Sequence, residues 1–191
     1  MQHIMIDLET MGKSPAAAIV AIAAVSFDPE EGVIGKQFYQ RVNLKSSVEH
    51  GGTLDADTVK WWMRQPAEAR SEVISDDAVD IKRAIGELGC FILRNSQHPD
   101  AILWARGTDF DIPIITSAME RIGITPTWKF WNVRDVRTLE HAAIAAGMDP
   151  RTAVTFEGQK HHALNDAIHQ AKTVIHIWQT LIKPHQQEPQ L

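Results

Sequence analysis

His3-Ile4-Met5-Ile6-Asp7-Leu8 is a short apolar run that turns acidic at its end, at Asp7 and again at Glu9. Its length and its polar flanks mark it as a buried strand. Ile19 to Phe27 is a second strand. Asp28-Pro29-Glu30-Glu31-Gly32 is a turn by composition, and Gln37 to Leu44 alternates as a third strand. The chain therefore opens as a meander, with a carboxylate pair at the end of its first strand.

Helices and strands then mix. Asp55 to Gln65 reads as a helix with Asp55 as its N-cap, interrupted at Pro66. A longer helix is expected over Asp76 to Asn95, with Val79, Arg83, Ile85, Leu88 and Ile92 partly periodic. Ala101 to Trp104 is a short strand. Ile112 to Ile122 is a helix closed by Gly123, and Phe130 to Val133 is a fifth strand. Val136 to Ala146 is helical up to Gly147, Met148 to Lys160 is a loop, and the last helix runs from Ala163 to Ile182. This order predicts an α/β architecture, a five-stranded mixed sheet flanked by helices, and not a strict βαβ array.

Composition bounds the function. The 191 residues fit one globular domain, expected over residues 1–182, with a Gln- and Pro-rich tail over 183–191 that frays. A net charge of −5 argues against a protein that coats nucleic acid, but not against an enzyme holding divalent cations in an acidic site. The lone cysteine, Cys90, lies in the apolar run Cys90-Phe91-Ile92-Leu93 and reads as a small buried hydrophobe. With no signal-peptide pattern, no membrane span and no disulfide framework, the expectation is a cytoplasmic protein without membrane contact.

Three acidic signals carry the chemistry. Asp7 and Glu9 are two residues apart, so a strand puts both on one face. Like charges side by side repel unless a cation lies between them. Hard divalent cations such as Mg²⁺ take oxygen ligands, so the pair is either a metal platform or a solvated strand end. The second signal is Asp109-Phe110-Asp111, where either aspartate could equally serve a helix N-terminus. The third is His161-His162-Ala163-Leu164-Asn165-Asp166. His161 and Asp166 can face one site if His161 lies in the loop just before the helix.

In this order, D-x-E, F-D and H-x-x-x-x-D resemble the DEDDh branch of the 3′-5′ exonucleases, which have a ribonuclease H-like fold and include oligoribonuclease, ribonuclease T and the proofreading subunit of replicative polymerase. The match spans nearly the whole chain. Met5 to Gly12, Asp57 to Gln65 and Trp131 to Thr138 are similar to the small exonuclease VIII-like proteins of phages and prophages, and to the related mycobacterial exoribonuclease domain.

The resemblance implies a 3′-5′ exonuclease acting on single-stranded RNA, DNA or both. It implies two divalent cations, Mg²⁺ with Mn²⁺ able to substitute. Asp7, Glu9, Asp111 and Asp166 would hold the cations, with Asp109 the alternative to Asp111. Asp7 would bridge both ions, and Glu9 would also contact the terminal 3′-hydroxyl. His161 would act as general base; imidazole is the side chain whose ordinary titration range spans neutral pH. His162 falls at a variable position, and Arg106 stands where relatives often carry Asn.

Thr10 and Met11 are expected beside the terminal nucleotide, and Trp61 or Trp62 under a base. Lys129, Arg134, Arg137 and Lys160 are candidate phosphate contacts or plain surface. Asp135 either orients the site or simply caps a helix. Relatives are often homodimers. The competing readings are a catalytically silent nucleic-acid-binding module and a phage-derived interaction protein that keeps the fold.

Overall fold

The computed structural model describes residues 2–96 and 100–183. Three strands open the chain: β1 (His3–Thr10), β2 (Ile19–Asp28) and β3 (Val33–Arg41). Four helices follow: α1 (Leu44–Glu49), α2 (Ala56–Met63), α3 (Ala67–Val73) and α4 (Ile81–Asn95). Then come β4 (Ile102–Ala105), α5 (Asp111–Arg121), β5 (Val133–Asp135), α6 (Val136–Ala145), α7 (Pro150–Ala153) and α8 (Ala163–Ile177). The sheet order is β3-β2-β1-β4-β5, antiparallel through the meander and parallel from β1 to β5. This is the expected five-stranded mixed sheet.

Central position explains the apolar character of β1, whose two faces are both covered. Ile4, Ile6 and Leu8 pack against Ile85 and Leu88 of α4 and Ile114 and Met119 of α5. Met5 points the other way, into a cluster with Ala163, Ala167, Ala171 and Val174 of α8. Period two then puts Asp7 and Glu9 on the α8 face. Their partners on β2 are Ala23 and Ala21, both fully buried and too small to fill the space beside the carboxylates. The register slips between Glu9 and Thr10, an irregularity that ends the regular pairing where the acidic pair stands.

Several boundaries differ from the sequence reading. β3 starts at Val33 and ends at Arg41, because the Asp28–Val33 pairing fixes a tight turn with Gly32 at φ 71°. Asn43 then caps α1, an element the sequence did not announce. Helix α4 starts at Ile81, not Asp76. Val79 instead pairs its backbone with Arg41 and Asn43, and Asp80 caps the helix. Phe130 to Asn132 form a single 3₁₀ turn with Phe130 and Trp131 exposed, so β5 starts only at Val133. The loop after α6 contains the short α7, and the last helix is regular only to Ile177, continuing as a π-type turn over Trp178–Ile182.

Cys90 is exposed, not buried. The buried stripe of α4 runs through Ile81, Ala84, Ile85, Leu88 and Ile92, and the 100° step per residue turns position 90 to solvent. Of the expected tail, only Lys183 falls within the described residues. No described helix is long and apolar enough to cross a membrane.

Asp55 caps α2 as the sequence implied, accepting from the Thr58 amide at 2.8 Å. Loss of this cap in Asp55→Ala is expected to lower the midpoint of urea denaturation. An unchanged midpoint would mean the Trp61–Trp62 packing alone holds α2.

Candidate active site

Asp7, Glu9, Asp111, His161 and Asp166 all line one cavity of about 220 Å³, together with Arg106 and Gln170. Three elements deliver them. The end of β1 supplies Asp7 and Glu9. The start of α5 supplies Asp111, whose Oδ1 accepts the Leu8 amide of β1 at 3.1 Å. The first turn of α8 supplies Asp166, and His161 lies just before that helix, as the five-residue spacing required.

Asp7, Glu9 and Asp166 each offer a carboxylate oxygen within 4.8 Å of the others. Asp111 stands next to this trio and is 4% exposed, whereas Asp109 is exposed and does not line the cavity. The geometry thus separates the two aspartates that the sequence left open.

The electrostatics follow from crowding in a poorly hydrated place. Burial, then the charges of Asp111, Glu9 and Asp166, push Asp7 well above the usual carboxylate range. The Gln170 amide donates to Asp7 Oδ1 at 2.7 Å and opposes that shift. Burial and then Asp166 and Asp111 raise Glu9 to about 8. Burial raises Asp111 to about 7 against the pull of the Leu8 amide. Asp166 is raised by burial, with His161 and the backbone amides of His161 and His162 acting the other way.

An all-oxygen donor set with this much uncompensated charge fits hard divalent cations. One further observation agrees: Gln170 Oε1, beside Asp7, is buried without a hydrogen-bond partner. Gln170 was not foreseen. Its only sequence signal was its position one helical turn beyond Asp166.

A larger cleft of about 690 Å³ adjoins the cavity and shares Glu9 and Phe110 with it. Thr10, Lys13, Lys60 and Trp61 also line this cleft. Trp61 is 39% exposed, while Trp62 is 4% exposed and spends its indole N–H on the Thr10 carbonyl at 2.9 Å. Trp62 also lines the cleft, but Trp61 presents the more exposed face. The Met11 side chain is buried with Val20 and Trp62, and its backbone N–H and carbonyl are bonded to Ala18 and Asp55, so the structure does not bring it to the cleft wall.

The other candidates spread out. Lys129 pairs with Asp100 at 2.7 Å, and Arg134 bonds the Trp131 and Val133 carbonyls. Lys160 lines a separate cleft with Gln65 and Gly158. Asp135 caps α6 through the Arg137 amide, and it holds the Gly107 amide at 3.0 Å.

A ribonuclease H-like sheet with these five side chains at the end of its central strand defines the DEDDh class of nucleases. The chain belongs to the 3′-5′ exoribonuclease Rv2179c-like domain family, whose sequence model matches residues 2–178. It is 30% identical over 160 residues to an exodeoxyribonuclease of Enterobacteria phage T4, covering 72% of this chain and 70% of that protein. The nuclease domain of 3′hExo, a DEDDh family member bound to rAMP, superposes with a TM-score of 0.60 at 15% identity, covering 95% of this chain and 93% of that one. Exonuclease X in complex with 5′ overhanging duplex DNA gives 0.59 at 17% identity, covering 94% and 92%. The protein is a 3′-5′ exonuclease, a hydrolase acting on nucleic acid.

The raised carboxyls set the pH dependence of the cation-free protein. Their ordinary values are 3.8 for Asp and 4.5 for Glu, and in the folded state Glu9 and Asp111 lie at about 8 and about 7. The folded state therefore binds more protons than the unfolded chain between these limits, and stability falls as pH rises through them. In EDTA the melting temperature should drop from pH 5 to pH 8, and Asp7→Asn should flatten that drop. A melting temperature that climbs over this range would contradict the site's electrostatics.

Proposed function

We propose that this exonuclease shortens single-stranded nucleic acid from the 3′ end with two divalent cations, Mg²⁺ or Mn²⁺, held by Asp7, Glu9, Asp111 and Asp166. The observation that carries this reading is the convergence of those four carboxylates and His161 on one cavity beside the Trp61 cleft. When bound there, the cations would stabilise the attacking and leaving oxygens of an in-line displacement at phosphorus.

The chain's own residues supply the rest. Asp7, within reach of Glu9 and Asp166, would hold the cations together with them. Glu9 lines both cavity and cleft, so it can also accept from the terminal 3′-hydroxyl. His161 takes the proton of the attacking water at an imidazole nitrogen. Trp61 offers its face to the terminal base, and Lys13 and Lys60 line the same cleft, where their ammonium groups can meet phosphate oxygens. Both RNA and DNA fall within this proposal, because discrimination rests on contacts to the 2′-hydroxyl.

The test uses 5′-labelled single-stranded RNA and DNA of matched sequence with Mg²⁺, Mn²⁺ or EDTA. A ladder shortening stepwise from the 3′ end, abolished by EDTA and by Asp7→Ala, is expected. Binding without shortening would overturn the reading. His161→Ala should slow the reaction by roughly 10²–10⁴-fold; a wild-type rate would remove His161 from the base role.

A further inference from the structure

A buried polar cluster that the proposed chemistry leaves idle lies directly behind His161. Its hub is Glu72 of α3, only 5% exposed. Arg41 of β3 donates to it through Nε at 2.9 Å and Nη2 at 3.0 Å, and the Tyr39 hydroxyl donates to the same carboxylate. Burial pushes Glu72 up, but the bonds from Arg41 and Tyr39 and the nearness of His162 outweigh it, so the carboxylate stays charged. His162 Nε2 lies 3.9 Å from Glu72, and the His162 ring stacks on Tyr39 with centroids 4.5 Å apart and planes inclined by 23°.

His161, the next residue back, has φ 61°, the one non-glycine in the left-handed region among the described residues. An L-residue keeps that conformation only where its surroundings over-determine it. Trp61 packs its ring against the His161 ring with centroids 4.9 Å apart, which holds the side chain from one side. On the other side, the restraint acts on His162. Helix α8 needs no help from this cluster, since Ala163, Ala167, Ala171 and Val174 already anchor it in the core. Release of His162 would therefore free the His161 side of the junction and leave Asp166 in place.

We propose that Tyr39, Glu72 and His162 form a clamp that holds His161 in its left-handed conformation and so aims its imidazole into the carboxylate cavity. His162 does not line that cavity; it is a positioning residue that acts through its neighbour. The proposal rests on the reading of His161 as general base. Its chemistry is simple: the Tyr39 ring, itself held by its bond to the buried Glu72, stacks on the His162 ring, and the stacked ring restrains the backbone of the residue before it.

The test is a kinetic cycle with Mg²⁺ on a labelled single strand, with melting curves for every variant. His162→Ala should lower kcat by about 10–100-fold with KM unchanged, the loss expected when a reacting group is misplaced by about 1 Å. His162→Phe keeps a ring on Tyr39 and should retain most of kcat. In a His161→Ala background, His162→Ala should cause no further loss, because both changes act through one imidazole. A full-rate His162→Ala, or an equal fold loss in both backgrounds, overturns the clamp while leaving the base assignment standing. A full-rate His161→Ala overturns both. If His162→Ala does not fold, Tyr39→Leu removes the other ring of the stack, and the same outcomes decide.

Discussion

Asp7, Glu9 and Asp166 bring partly buried carboxylate oxygens within 4.8 Å of one another. Crowding of like charges is unfavourable on its own, and the raised affinities for protons at all four site carboxyls record that cost. The fold has to hold these groups together against their repulsion. It does so by placing Asp7 and Glu9 on the central strand of the sheet and closing over them with the starts of α5 and α8. Asp111 is tied to β1 through the Leu8 amide, and Asp7 is tied to α8 through Gln170. Two hydrogen bonds thus join the helices to the strand at the point of greatest charge density.

The same arrangement explains the division of the surface. The cavity is small and lined by acidic side chains. The adjoining cleft is larger and carries Trp61, Lys13 and Lys60, groups suited to a base and its phosphates. Trp61 links the two, because its ring also packs against His161. Behind both, Glu72 gathers Tyr39 and Arg41 with His162 beside it, so that β3, α3 and the start of α8 meet at one buried carboxylate.

Much of this was legible in the sequence. β1 and β2 announced themselves as apolar runs because both faces of a central strand are covered. The spacing of Asp7 with Glu9, and of His161 with Asp166, fixed which groups share a face or flank a helix start. What was hidden depended on tertiary pairing. Val79 looked helical but was claimed by a backbone bridge to Val42. Phe130 and Trp131 looked like strand residues yet lie outside the sheet. Asp109 and Asp111 carry the same chemistry, and only the turn into α5 sends one to the cavity and the other to solvent. Gln170, Glu72 and the burial of Met11 have no sequence pattern that sets them apart from ordinary helix or core positions.

The proposed chemistry depends on the crowded carboxylates being a cation site. Calorimetric titration of Mn²⁺ onto the protein at pH 7, repeated in buffers of different ionisation enthalpy, measures this directly. With Glu9 raised to about 8 and Asp111 to about 7, binding should release protons to the buffer, and Asp7→Ala should abolish it. No binding to the wild type, or binding that persists unchanged in Asp7→Ala with no proton release, would contradict the account.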